Sequence, residues 1–255
     1  MMDKKHDKIL STAAEGKVIH ILNLRKSFDG NDVLKDINLN VNKGETLITL
    51  GKSGSGKSVL LKCIVRLIEP DGGSINVLGE DIISLSPSEL MSIRRNIGFI
   101  FQSSALYDSM SVRENLKFPL VRHFKLSKTE IEERVIDVLE NVGLKEAIDK
   151  MPSELSGGMR KRIGLARTLI LRPEIMLYDE PTTGLDPATS REISSLIRQM
   201  QEKYNVTSIV VTHDMECVHI TADRIVVLQD GTFTHSGTYQ ELQKSNDEFV
   251  SSFFT

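Results

Sequence analysis

The sequence predicts an α/β fold: a mainly parallel sheet covered by helices, with antiparallel strands at its start and a helical subdomain inserted in its middle. Three observations carry that expectation. Short apolar strands alternate with helical segments in the last third of the chain, the pattern of βαβ units. Two segments near the beginning alternate apolar and polar residues on either side of a turn. Between these regions, from about Ser103 to Leu171, the spacing becomes helical.

Each element can be justified in order. Val18–Leu24 (VIHILNL) alternates, Asp29-Gly30-Asn31 breaks the run, and Val33–Val41 (VLKDINLNV) alternates again, as in an antiparallel meander with one wet face. Lys43-Gly44 makes a turn, and Glu45–Leu50 is a mostly apolar strand that runs into a glycine-rich segment. Val59–Ile68 is apolar all round, as a buried helix is. Asp71-Gly72-Gly73 turns into a short strand at Ser74–Leu78, and Ile97–Phe101 (IGFIF) is a buried strand. Ser127-Lys128-Thr129-Glu130 has capping-box spacing and opens a helix with apolar residues at Ile131, Val135, Val138, Leu139 and Val142, closed by Gly143. Ile175–Tyr178, Ser208–Thr212 and Ile225–Leu228 are strands; Ser190–Tyr204 and Met215–Thr221 are helices. The implied division is a tail at 1–16, a core at 17–102 and 172–245, a helical subdomain at 103–171, and an aromatic tail at 246–255.

Composition excludes several classes. The 255 residues are 40% hydrophobic and 26% charged, with 32 basic against 35 acidic side chains, so bulk charge does not point to a nucleic-acid binder. Cys63 and Cys217 lie far apart, which excludes a disulfide framework or zinc ribbon and reads as two reduced thiols. No window approaches 18 apolar residues, and the charged start MMDKKHDKILSTAAEGK lacks the apolar core of a secretory signal.

The chemistry begins at Gly51-Lys52-Ser53-Gly54-Ser55-Gly56-Lys57-Ser58, which fits G-x-x-x-x-G-K-[ST] between a predicted strand and a predicted helix. Its glycines let successive amides converge on phosphates, and the helix N-terminus adds its positive end. Lys57 supplies a charge for the β- and γ-phosphates, and Ser58 a hydroxyl for Mg²⁺. Kinase, GTPase and ATPase all remain open on this motif. A second part is Ile175–Glu180, an apolar strand ending in Asp179 and Glu180. Asp179 is placed to hold Mg²⁺. Strand alternation aims Glu180 away from it, where it can orient or deprotonate a water, and Pro181 ends the strand. The plainer alternatives are an ordinary glycine turn and an acidic pair capping the next element.

A second anion cradle is written at Leu155-Ser156-Gly157-Gly158-Met159, ahead of an amphipathic helix and without a lysine. Two cradles with one lysine suggest that the second serves a nucleotide on another copy. Taken in order, the glycine-rich loop, Gln102, the 155–159 segment, MLYDEPTTGLD at 176–186 and Thr212-His213 resemble the ATP-binding subunit of an ABC transporter, over about Lys17 to Leu242. That resemblance implies a P-loop ATPase core, ATP and Mg²⁺, and head-to-tail dimers around two ATP molecules, with Ser156, Gly157, Gly158 and Met159 completing the partner's site. It also implies that Phe28 stacks on adenine, Gln102 binds Mg²⁺ or the water, Asp186 links the two sites and His213 contacts the γ-phosphate.

Met159 stands where the family commonly has Gln, and Tyr178 where it has an apolar residue before the acidic pair. With ALYDSMSVRENLKFPL at 105–120, these are similar to Mla/Mce-type ATPases that move lipid across the bacterial envelope. The resemblance implies an integral-membrane permease docking near 104–119, a lipid-binding substrate protein, and a place on the cytoplasmic face of the inner membrane. Phe249, Phe253 and Phe254 put three of nine phenylalanines in the last seven residues, which suggests a docked tail. The expected surface is a second copy, an accessory subunit, or the chain's own last helix. A soluble ATPase of a cofactor-assembly complex shares every motif.

Overall fold

The computed structural model describes residues 16–103 and 105–254; residues 1–15 of the expected N-terminal tail, Ser104 and Thr255 lie outside the described residues. Strands β1 (Lys17–Phe28) and β2 (Asn31–Asn42) pair antiparallel through a tight turn at Asp29 and Gly30, both with positive φ. Their apolar positions, among them Ile19, Ile21, Ile37 and Val41, form one buried face. The antiparallel run expected at 18–41 is these two strands. Strand β3 (Thr46–Leu50) departs for another sheet, and β4 (Gly72–Val77) returns to the free edge of β1, followed by β5 (Glu80–Asp81), giving the order β2-β1-β4-β5. The reason lies in β3 itself: all five of its residues are buried, whereas a strand with one wet face cannot be.

The second sheet adds β6 (Ile97–Ile100), β7 (Ile175–Asp179), β8 (Thr207–Val211), β9 (Arg224–Gln229) and β10 (Thr232–Gly237), in the order β10-β9-β3-β8-β7-β6. Its pairs are parallel except β9 with β10. Helix α1 (Lys57–Ile64) begins two residues earlier than the apolar run suggested, so that Lys57 and Ser58 form its first turn.

Helix α2 (Pro87–Arg94) follows, then α3 (Val112–His123), α4 (Lys128–Asn141) and α5 (Gly157–Leu169) between β6 and β7. Leu116, Leu120, Val135, Leu139 and Ile163 join these three helices into the core that also lies under β7 and β8. Helix α6 (Pro187–Tyr204) connects β7 to β8, and α7 (Met215–Thr221) connects β8 to β9. The chain closes with α8 (Tyr239–Gln243) and α9 (Glu248–Ser251). Helix α2, β10 and the last two helices were not expected. Leu90 is the one buried residue of α2, so it offers no apolar stripe to read.

Candidate active site

Four neighbouring parallel strands deliver the site. The carboxyl ends of β3, β8, β7 and β6 lead directly to Gly51, His213, Asp179 and Gln102, at the sheet edge where open α/β folds place ligands. Between them lies a cleft of about 650 Å³, walled by the glycine-rich loop together with Phe28, Gln102, Glu180, His213 and Phe253.

Gly56 caps α1 with φ 100°, no side-chain cap and no acid in the first turn, so the first amides of the helix face the cleft. A side chain at Gly56 would bring a Cβ to 2.8 Å from Val33 Cγ1, so only glycine fits both the angle and the space. Lys57 is buried, and its Nζ donates to the carbonyls of Gly51 (2.7 Å) and Lys52 (2.9 Å). Burial lowers the Lys57 pKa, while Glu180 and Asp179 pull it back up. Ser58 Oγ donates to Asp179 Oδ1 at 2.6 Å, and Asp179 is 8% exposed. The Ser55 hydroxyl is buried without a partner among the described residues, inside a loop flanked by Ser53 and by Gly54 at φ 79°.

Glu180 differs from the expected alternation. Strand β7 stops at Asp179, and Glu180 takes a left-handed conformation, φ 53°, held by its amide donating to Val211 O at 2.9 Å. A non-glycine residue there costs on the order of 1 kcal/mol. Its Oε2 lies 2.9 Å from His213 Nδ1 and accepts from Thr183 Oγ1 at 3.2 Å. The two carboxylates therefore diverge because the strand has ended, not because of its pleat. Pro181 follows an end already made.

The second cradle sits elsewhere. Ser156 caps α5 and accepts from the Met159 amide at 3.3 Å; α5 too has no acid in its first turn. Ser156 and Gly157 are exposed, and none of Ser156, Gly157, Gly158 or Met159 lines the cleft. They adjoin the start of α6 instead, where a Cβ on Gly158 would stand 2.6 Å from Thr189 Cγ2. Asp186 caps α6, accepting from Thr189 N (3.0 Å) and Thr189 Oγ1 (2.6 Å), and these bonds hold its pKa low.

The profile of the ABC transporter family matches residues 34–183. This chain belongs to the ABC transporter family. As an ABC ATPase it binds and hydrolyses ATP. It is 40% identical over 238 residues to the "Probable ribonucleotide transport ATP-binding protein mkl" of Mycobacterium leprae, covering 93% of this chain and 69% of that one. It is also 40% identical over 230 residues to the intermembrane phospholipid transport system ATP-binding protein MlaF of Haemophilus influenzae, covering 90% and 87%. The methionine import ATP-binding protein MetN of Rhizobium etli is 39% identical over 225 residues, covering 88% and 62%. The chain thus spans about two thirds of the length of the mkl and MetN relatives. Among solved structures, cbiO1 from Clostridium perfringens, part of the transporter complex cbiONQ, superposes with a TM-score of 0.83 at 31% identity, covering 94% of this chain and 98% of that one. The dimeric post-hydrolysis state of the cassette MJ0796 with ADP and Pi superposes at 0.79 and 32%, covering 86% and 98%.

Two residues of this ABC ATPase were not legible in the sequence. Lys161, on α5, donates from Nζ to the Gln102 carbonyl at 2.5 Å; burial lowers its pKa and Glu180 raises it. Phe253 lines the cleft from the other end of the chain. The three terminal aromatics all have partners within this chain, on α8 and beside the glycine-rich loop. Of the surfaces expected for the tail, its own protein is the one the structure shows. Both cysteines are free and buried.

Proposed function

We propose that this chain is the ATP-driven subunit of an envelope lipid transporter, working as a head-to-tail pair around two ATP molecules. The observation that carries the pairing is the separation of the two cradles. The cleft holds the glycine-rich loop but none of Ser156, Gly157, Gly158 or Met159, and Ser156 is exposed outside it, so one copy offers two halves that a second copy would complete. The dimeric MJ0796 cassette supports this arrangement.

The residues present suit Mg²⁺. No group of three or more His, Cys, Asp or Glu among the described residues could hold a metal alone. Ser58 and Asp179 offer two oxygens 2.6 Å apart, with Gln102 across the cleft, and Mg²⁺ usually takes few protein ligands and completes its shell with phosphate and water. When bound, it neutralises charge on the β- and γ-phosphates. Lys57 would exchange its two carbonyl partners for phosphate oxygens, and the unpartnered Ser55 hydroxyl would find an acceptor. Phe28, 41% exposed at the end of β1, would stack on adenine. Glu180, oriented by His213 and Thr183, would take a proton from the attacking water, and His213 would face the γ-phosphate.

The membrane partner would be a permease. Met110, Glu114, Lys117, Phe118, Val121 and Arg122 line a groove of about 470 Å³, beside exposed Tyr107 and Phe124. Among the described residues no helix is long and apolar enough to cross a membrane. Docked through that groove on a permease, as the family suggests, the subunit would sit at the cytoplasmic face of the inner membrane. Phospholipid is the cargo favoured by Met159, Tyr178, the 105–120 segment and the MlaF relative; methionine and ribonucleotide relatives share the cassette. A substrate-binding lipid protein would complete the system.

A Glu180→Gln variant tests the core of this reading. It should form an ATP-dependent dimer in size-exclusion chromatography and lose turnover by about a hundredfold or more, the scale of general-base loss. Near-normal hydrolysis would refute the role of Glu180. For the cargo, the subunit purified from detergent extract with its membrane companion should move phospholipid between vesicles in an ATP-dependent way. Transport of methionine or nucleotide alone, or a purely soluble complex, would remove the lipid assignment.

A further inference from the structure

We infer that Phe253, from the C-terminal segment, is a second aromatic wall of the nucleotide pocket and contacts the base in cis. This rests on the reading of the cleft as the ATP site. Phe253 and Phe28 line the same cleft as the glycine-rich loop, although 225 residues of sequence separate them.

The segment that carries Phe253 is fixed in place at several points. Val250 is fully buried in the core under β8 and β9. Asp247 caps α9, its Oδ1 accepting from the Val250 amide at 3.0 Å. Phe249 meets Phe253 edge-to-face at 5.3 Å between ring centroids, and Lys52 Nζ lies 5.1 Å over the Phe249 ring. Lys52 belongs to the glycine-rich loop, so the tail is joined to the phosphate cradle itself. On the other side, Phe254 packs edge-on against Tyr239 at 5.2 Å, and Tyr239 against His219 at 4.7 Å. His219 stands on α7, the helix that follows His213. The tail therefore spans from the loop that would hold the phosphates to the helix behind the γ-phosphate side, with Phe253 turned to the cleft.

Wall and plug are distinguished by space. With Phe253 in place about 650 Å³ remains open, within the ordinary range of small-molecule pockets. Phe253 is only half-buried, which leaves apolar ring surface for a ligand to cover. A purine has two flat faces, and one exposed phenylalanine can cover only one of them. The face of an uncharged ring offers triphosphate oxygens little, whereas it can cover the flat face of a base. The contact thus belongs to the base.

Binding of ATP and of inorganic tripolyphosphate to the full-length chain, measured by calorimetry without turnover, separates the possibilities. Phe253→Ala should weaken ATP by about tenfold, the loss typical of removing one stacked aromatic, and leave tripolyphosphate unchanged. Phe253→Trp should restore ATP affinity. Equal loss for both ligands would overturn the inference, because the tail would then only brace the loop. Tighter binding of ATP would overturn it in favour of a plug, and no change in either ligand would also overturn it. A melting curve verifies that Phe253→Ala remains folded. Lys57→Ala is the control on the underlying reading: it should weaken both ligands, and if it weakens neither, the failure lies in the assignment of the cleft and not in Phe253.

Discussion

The N-termini of α1 and α5 are built alike and completed differently. Each opens on glycine or Ser-Gly-Gly, and neither has an acid in its first turn. Four other helices do the opposite. At α2, α3, α4 and α8 a Ser or Thr cap is paired with Glu89, Glu114, Glu130 or Glu241 at the third helical position, so the N-cap amide is satisfied as well as the third one and the first turn already carries a negative charge. The fold thus knows how to close a helix start and leaves two of them open to an anion. At α1 the chain supplies everything else: a buried lysine, the Ser58–Asp179 pair and a cleft. At α5 it supplies a serine cap on an exposed surface, with Arg160 turned back onto the Leu155 carbonyl. Under the proposed pairing the α1 cleft carries the lysine and the carboxylates, and α5 would supply the facing half to a second copy.

The strongest way to break the comparison is to close the second cradle as the other helices are closed. Met159 occupies the third helical position of α5, so Met159→Glu would write the Ser-x-x-Glu box that α2, α3 and α4 carry. The monomer should be no less stable, because an acid in the first turn is worth about 0.3–1 kcal/mol to a helix. ATP binding to the chain's own cleft should be unchanged. Turnover should fall by about a hundredfold, as when one donor to a developing anion is lost, since a carboxylate would now confront the phosphate. Met159→Gln, with the same shape and no charge, should retain most activity. Full phosphate release by Met159→Glu would mean that α5 receives no anion.

How far these sites could be read in the sequence depended on how local their chemistry is. The loop at 51–58, the 155–159 segment and the pair Asp179-Glu180 are contiguous, and their residue types carry their own reasons. Helix α4 was legible from Ser127 and Glu130, yet the same box at Ser86 and Glu89 opens α2 over a segment with a single buried residue, where periodicity is silent. The left-handed turn at Glu180 was illegible, because the alternation of a strand says nothing about where the strand stops. Contacts made across the chain were beyond reach altogether: Lys161 on Gln102 is 59 residues away, and Phe249 on Lys52 nearly 200. They arise from the packing of α5 and the tail against the sheet edge, which no short window encodes.

Lys161 offers a smaller effect that sharpens the contrast, since it ties α5 to Gln102 at the cleft of the same copy. Its ammonium holds the Gln102 carbonyl and lies near enough to Glu180 for the carboxylate to raise its pKa. Lys161→Met should lower kcat by about tenfold, the scale of one lost charged hydrogen bond, with little change in the KM for ATP. Lys161→Arg should recover most of it. A loss confined to KM would place Lys161 in nucleotide binding instead.

The smallest effect is one of pH. Hydrogen bonds from the Ser and Thr caps hold Glu89, Glu114, Glu130 and Glu241 below the ordinary glutamate value of 4.5. A folded-state pKa below the unfolded one stabilises the protein above the unfolded value, and that contribution disappears as pH falls through the lowered values. Melting temperature should therefore decline below about pH 4.5, with α1 and α5 contributing nothing because no carboxylate caps them. Met159→Glu would add one more capping-box glutamate to those four. Its melting temperature should exceed that of the wild type near neutral pH, and the difference should shrink as pH falls below 4.5 and through the lowered folded-state value of the new group. A difference that persists in acid would show that Met159→Glu acts through packing, and that the open start of α5 is not electrostatic in origin.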